Sequence, residues 1–365
     1  MKKRKRSKAK TWLRGAAITL CSAGLTLTLI IGAMILARPP AAGGNSFAAA
    51  AADLIHAGTA EDAASAGSTS AYADTGKNII VDQNAGPQEI VSSIENHGYI
   101  RDPFVFRIAV AVMSLFHKIE AGGYYVTENM SDWDIFRSLA NPSLRYVTVA
   151  AGMRKQEIAD LVGDKLDWDT VEKRELVNVN IDLNQDDLEG KYFPGTYLFP
   201  EDANPQQVGE AMVANYDKEI AVLKKKYPNS KVNYDTALLI ASIIQREAAG
   251  KQDMRLISGI IWNRIFDGMS LSMDATVQYA RGKTDDGWWA PISASDIRTI
   301  DSPYNTYKND GLPPTPISNV SADALDAALN PQKTSCLFYI HDNKHRIHCS
   351  ATYAGQLQNI QTYLK

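Results

Sequence analysis

Tyr-Asp-Thr-Ala-Leu-Leu-Ile-Ala-Ser-Ile-Ile-Gln-Arg-Glu-Ala-Ala (234–249) is the strongest helical stretch of the chain. Ile240, Ile243 and Ile244 precede Glu247 by seven, four and three residues, so all four share one helical face. Asp235 offers an N-cap. The shared face is expected to point inward, and it ends in a carboxylate. Glu247 also lies near the helix C-terminus, where the macrodipole disfavours negative charge. Burial and dipole together predict a raised pKa, and a carboxyl that keeps its proton near neutral pH suits general acid catalysis. A boundary glutamate that reaches solvent, or pairs with Arg246 or Arg255, fits the same pattern, and periodicity alone does not separate the two.

A second helix is expected over Asp253–Phe266. From Met269 to Pro316 the chain is rich in Gly and Pro, and loops of this length in a folded domain are often functional. The aromatics Tyr279, Trp288, Trp289, Tyr304 and Tyr307 argue against disorder there. Asn263, Asp274, Thr276, Gln278, Tyr279, Tyr304, Asn305, Thr306 and Tyr307 are of the types that orient sugar hydroxyls or stack on pyranose rings. They are candidate substrate contacts, although loop chemistry and core aromatics account for the same composition. Ser321–Leu329 reads as a helix, Cys336–Ile340 and Arg346–Ser350 as a hairpin, and Tyr353–Leu364 as a closing helix.

His341, His345 and His348 cluster with Asp342 at the hairpin, but no H-E-x-x-H or C-x-x-C element accompanies them, so no metal is expected. With Asp342-Asn343 as a two-residue loop, Cys336 falls opposite Cys349, within reach of a cross-strand disulfide; free thiols remain open as well. The third cysteine, Cys21, is far upstream, so this is not a disulfide-dense scaffold. Neither a phosphate-cradling glycine loop nor a G-x-S-x-G elbow occurs, and no cofactor is expected.

Upstream, short units alternate: strand Ile79–Val81, helix Pro87–His97, helix Phe104–Ile119, strand Tyr124–Val126, helix Ser131–Leu139 capped by Ser131, strand Tyr146–Val149, helix Lys155–Leu166. This order predicts an α+β class, with a module over 78–230 and a second domain over 231–365.

The 365 residues carry a net charge of −3, which conceals an asymmetry. Residues 1–14 hold 8 basic side chains and no acid, leaving 30 basic against 41 acidic residues, or −11, in the rest. An acidic body argues against nucleic-acid binding. Gly15 to Ala37 is uncharged, and as a helix of about 35 Å it spans a hydrocarbon core of about 30 Å. Basic residues before it place the N-terminus in the cytoplasm, and everything after Arg38 outside the cell membrane, as a single-pass protein. A cleaved signal peptide competes, but its apolar region is usually only about 7–15 residues. Residues 38–77, rich in Ala, Gly and Ser, read as a flexible tether with a mean span of about 35 Å.

Seven segments carry a resemblance: Ala-Ser-Ile-Ile-Gln-Arg-Glu (241–247), Ile-Trp-Asn-Arg-Ile (261–265), Gly-Met-Ser-Leu-Ser-Met-Asp-Ala-Thr-Val-Gln-Tyr (268–279), Asp-Ser-Pro-Tyr-Asn-Thr-Tyr (301–307), Gly-Leu-Pro-Pro (311–314), Ile-Ser-Asn (317–319) and Ala-Ala-Leu-Asn-Pro (327–331). In order and spacing they resemble the MltG/YceG-like family of membrane-anchored endolytic murein transglycosylases. The resemblance implies a LysM-like α+β module ahead of a catalytic domain. It also implies cleavage of the MurNAc-β-1,4-GlcNAc bond of nascent peptidoglycan strands, leaving 1,6-anhydro ends. Glu247 then matches the family's catalytic glutamate, serving first as acid and then as base, while an accompanying family glutamate is Gln245 here. Glu189, in Leu-Glu-Gly-Lys-Tyr-Phe-Pro-Gly-Thr-Tyr (188–197), matches a further family segment and is a candidate for a secondary or structural role. Peptidoglycan synthases are implied partners. The chain departs from the family at Gly195, Ala151, Gly355-Gln356 and Cys349. A non-catalytic peptidoglycan-binding scaffold and a true hydrolase are the competing readings.

Overall fold

The computed structural model describes residues 78–113, 119–127, 130–179 and 187–364. The expected membrane span (15–37) and tether (38–77) lie outside the described residues, among which no helix is long and apolar enough to cross a membrane.

The class is α+β, as the sequence predicts. Strands β1 (Asn78–Ile80), β2 (Gly122–Tyr125), β3 (Leu144–Val149) and β4 (Gly195–Pro200) form an antiparallel sheet in the order β1-β2-β3-β4. The longest ladder joins β3 to β4, from Leu144↔Pro200 to Val149↔Gly195. Helices α1 (Pro87–Asn96), α2 (Pro103–Met113) and α3 (Asp132–Ser138) enclose a first core around Ile90, Ile94, Tyr124, Ile135 and Leu139. Ser131 caps α3 as expected, accepting from the Asp134 N–H, while Asp134 reaches back to the Ser131 N–H. Ile119 lies beyond α2 as a buried residue rather than within the helix.

Helices α4 (Lys155–Leu166), α5 (Thr170–Val177) and α6 (Pro205–Lys226) build a second core with the inner faces of β3 and β4: Val147, Val149, Ile158, Val162, Phe199 and Met212. The third core belongs to α7 (Tyr234–Glu247), α8 (Lys251–Phe266) and α11 (Ala322–Leu329), around Ile240, Ile243, Ile244, Ile257, Ile261 and Leu325. Between α8 and α11 lie two short helices, α9 (Asp274–Arg281) and α10 (Ala294–Thr299), inside the stretch expected to be turns. Each is about two turns or less, too short for apolar periodicity to show.

The cap of α7 is Asn233, not Asp235: its Oδ1 accepts the Asp235 N–H at 2.9 Å. A capping side chain must stand outside the first turn to reach the N–H groups within it.

The hairpin of β5 (Phe338–His341) and β6 (Ile347–Ser350) pairs His341 with Ile347 and Tyr339 with Cys349. The turn is therefore wider than the two residues expected. Asp342 accepts the backbone N–H groups of Lys344 and Arg346, and His345 takes a left-handed φ of 58°. Cys336 does not stand opposite Cys349 in register. The two are nevertheless joined in a disulfide, with Cα atoms 5.8 Å apart, which ties the approach to β5 onto β6. Helix α12 (Tyr353–Tyr363) packs on this hairpin, where Gln356 donates to the Tyr339 carbonyl.

Candidate active site

Glu247 is the last residue of α7, and the isoleucines on its face are fully buried. The residue retains partial exposure, but its carboxyl is held inside the fold. Oε2 accepts the Tyr339 hydroxyl from β5 at 2.7 Å. The Ala275 backbone N–H, from the first turn of α9, also donates to the carboxyl. Glu247 therefore sits at the C-terminus of one helix and the N-terminus of another. The dipole of α9 offsets that of α7, and helix electrostatics alone do not set its proton affinity.

Burial does. Loss of hydration holds the Glu247 pKa above the ordinary 4.5, and the negative charge of Asp274 pushes the same way. The Tyr339 hydrogen bond, the Ala275 N–H and the His341 ring oppose it without reversing the direction. The carboxyl neither reaches freely into solvent nor pairs with an arginine. Arg246 instead donates to the Gly152 carbonyl and stacks on Trp289, and Arg255 donates to the Asn330 carbonyl.

The fold brings only part of the expected contact set together around Glu247. Asp274, at the start of α9, is exposed, and its Oδ1 accepts the Tyr307 hydroxyl at 2.6 Å. Thr306 and Asn305 brace that arrangement. The Thr306 hydroxyl accepts the Met273 N–H at 3.0 Å and bonds the Thr276 hydroxyl at 2.9 Å; Asn305 Oδ1 accepts the Tyr307 N–H. Thr276, Asn305 and Thr306 are buried, with their polar groups bonded inside the protein. Asn263 donates to the Thr334 and Cys336 carbonyls, and Gln278 to those of Trp289 and Ala290. The Tyr304 hydroxyl bonds that of Thr315.

Tyr279 leads to the second expected carboxyl. Its hydroxyl donates to Glu189 Oε2 at 3.0 Å, and the Lys155 N–H at the start of α4 donates to Oε1 at 3.1 Å. Glu189 is buried, and burial pushes its pKa up to about 7 against the Tyr279 hydrogen bond and the Lys155 charge. Gly190 follows at φ +89°, with Pro316 standing where a Cβ would project, so only glycine fits this turn. The Arg154 guanidinium lies 4.1 Å from the centre of the Tyr279 ring and 4.6 Å from that of Trp288. Thus the first turn of α9 holds Glu247 and its last turn holds Glu189. These contacts tie Glu189 to the helix through Tyr279 and to the start of α4 through Lys155.

The histidines take separate places. His341 bonds buried Asp253 at 3.0 Å, His348 bonds Asp342 at 3.1 Å and stacks on Tyr363, and His345 is exposed in the turn. Among the described residues, no group of three or more His, Cys, Asp or Glu is arranged to hold a metal ion. Tyr339 is the site residue that the sequence does not reveal. It reaches Glu247 across 92 positions, and its only local signature is a place on a strand beside His341, two residues on and facing the same side. A concavity of about 880 Å³ between α1 and α2 is lined by none of these residues.

Residues 79–362 match the YceG-like family. The chain is 30% identical over 289 residues to a Bacillus subtilis protein named endolytic murein transglycosylase, covering 72% of this chain and 78% of that one. It is 26% identical over 295 residues to a Streptococcus pneumoniae protein of the same name, and there spans only 53% of the relative's length. A crystal structure of a yceG-like protein from Listeria monocytogenes superposes with a TM-score of 0.53 at 24% identity, covering 77% of this chain and 98% of that one, which supports the fold. With these matches spanning the sheet, the Glu247 site and the hairpin alike, the chain is a member of the YceG-like family.

Proposed function

We propose that this protein is a membrane-anchored endolytic lytic transglycosylase acting on peptidoglycan. The observation that carries the reading is Glu247: a carboxyl whose proton affinity burial raises, yet gripped by two hydrogen-bond donors that favour its ionised form. Such a group can give up a proton and then accept one. Glu247 first protonates the oxygen of the MurNAc-β-1,4-GlcNAc bond. As a carboxylate, steadied by Tyr339 and the Ala275 N–H, it then takes the proton of the muramic acid C6 hydroxyl as that oxygen attacks C1. The product is a 1,6-anhydro end. Hydrolysis would differ in that the same carboxylate takes its proton from a water rather than from the C6 hydroxyl.

On this reading residues 15–37 span the membrane, 38–77 form a leash, and the LysM-like 78–230 region carries the catalytic part to strands emerging outside the cell, near their synthases. The Cys336–Cys349 disulfide supports an extracytoplasmic location, because such bonds persist in oxidising compartments. Mass spectrometry of the products from purified peptidoglycan tests the reaction type. Anhydro ends, one water lighter than reducing ends, are expected. Reducing ends would make the protein a hydrolase, and binding without soluble product would make it a scaffold.

The Tyr339 bond yields a separate prediction. Tyr339→Phe removes a donor that favours the Glu247 carboxylate, so the Glu247 pKa rises further and the acid step, which leaves that carboxylate behind, weakens. A bond to a charged group contributes about 1.5–3 kcal/mol, so turnover should fall about 10- to 100-fold. The alkaline limb of the pH–rate profile should move to higher pH. An unchanged profile would remove Tyr339 from the account.

A further inference from the structure

The titratable groups around the Glu247 carboxyl are Tyr339 and His341 from β5, Asp274 from α9, Arg264 from α8, Tyr307 from the 301–309 loop, and Arg246 on its own helix. Among these groups Glu247 and Asp274 carry the carboxyls, with Asp253 behind His341, and the surroundings of Glu247 and Asp274 differ sharply. Glu247 is drawn into the fold, whereas Asp274 is exposed and fixed by one donor, the Tyr307 hydroxyl at 2.6 Å. Both are tied to the same turn of backbone, since the N–H that Glu247 grips belongs to the residue after Asp274. That turn is rigidly held. The Met273 N–H donates to Thr306 Oγ1 and the Ser272 N–H to the Thr306 carbonyl, each at 3.0 Å.

We propose that Asp274 is a second catalytic carboxylate, placed to stabilise the positive charge that develops at the anomeric carbon while Glu247 gives up its proton. The proposal rests on the transglycosylase reading of the Glu247 site. In the reaction, the Glu247 proton passes to the bridging oxygen, whose bond to C1 breaks with the electron pair leaving on that oxygen. The C6 hydroxyl oxygen then bonds C1, and its proton returns to Glu247. Asp274 forms no bond and moves no proton; its charge faces C1 while C1 is electron-poor. Because the substrate supplies its own nucleophile, the second carboxylate has only electrostatic work, for which a fixed, pre-oriented charge is suited. A pair of acids in contrasting environments is a general way of separating proton donor from charge stabiliser.

The test is the kinetics of Asp274→Asn on purified peptidoglycan. The amide still accepts from Tyr307, so the loop should hold, and thermal unfolding checks this. The expected result is a fall in kcat of about 100-fold with KM little changed. The alkaline limb set by Glu247 should also move to lower pH, because the neighbouring negative charge has gone. A raised KM with kcat and limb unmoved would overturn the proposal and leave Asp274 a glycan contact. Should the Asn variant not fold, Tyr307→Phe frees the Asp274 carboxylate without removing it, and kcat should fall about 10-fold. An unchanged kcat there overturns the proposal equally. Failure of the underlying reading looks different: wild type would then release no anhydro product, or Glu247→Gln would remain active.

Discussion

Glu247→Gln should abolish release of anhydro-muropeptides, with turnover falling at least about 1,000-fold while the fold survives. The size follows from the two duties of one side chain. General acid–base catalysis contributes about 10²- to 10⁴-fold for a single transfer, and here the same oxygen atoms serve both. An amide neither donates an acidic proton to the bridging oxygen nor accepts one from the C6 hydroxyl. It does preserve shape. Its carbonyl still accepts from Tyr339 at the position where Oε2 lies 2.7 Å away, and the neighbouring isoleucines are undisturbed. Circular dichroism and thermal unfolding should therefore match wild type. An active variant would remove Glu247 from the chemistry, whatever the family's common pattern.

Glu189→Gln should change stability rather than chemistry, and its effect should grow with pH. The Glu189 pKa of about 7 lies above the ordinary 4.5, so the folded protein binds this proton more tightly than the unfolded chain does. Stability from this group is greatest below about pH 4.5 and falls as pH rises towards 7, levelling off above it. A shift of that size corresponds to roughly 3 kcal/mol. The amide cannot ionise, yet it can accept the Tyr279 hydroxyl and the Lys155 N–H as the acid does. Urea unfolding at pH 5 and pH 8 isolates the contribution, because every other group titrates alike in both proteins. The variant should gain on wild type by about 3 kcal/mol between these pH values, reduced by whatever proton uptake already occurs at pH 5. Parallel pH dependence in the two proteins would show that Glu189 carries no raised affinity.

These two carboxyls also show how far the sequence could be read. Glu247 was legible because helical periodicity is local: three isoleucines fix the buried face, and the chain supplies the carboxyl at its end. The Ser131 cap was legible for the same reason, since Asp134 completes its box three residues on. Helix α6 has no place in the sequence reading, although Asn204 and Gln207 form a capping box ahead of Val208, Met212, Tyr216, Ile220 and Leu223 on one buried face. Those are the signals that find it.

The rest was hidden because it depends on distance in the chain. Tyr339 meets Glu247 only when the hairpin folds back on α7, and no local pattern encodes that. The polar residues of the 269–316 stretch look alike in composition. Packing divides them into Asp274 and Tyr307 beside the Glu247 carboxyl, and Thr276, Asn305 and Thr306 inside the scaffold. The hairpin register was displaced by Asp342, whose carboxylate captures two backbone N–H groups and a histidine and so widens the turn.

The account depends most on Glu247 keeping its proton. Selective ¹³C labelling of glutamate side-chain carboxyls, with Glu247→Gln to assign the resonance, allows that group to be titrated by NMR in the intact protein. The carboxyl should titrate above 4.5, and the inflection should move down in Asp274→Asn. An inflection at or below 4.5 would mean that Glu247 is already ionised when the glycan arrives, and the acid step assigned to it would have no proton to give.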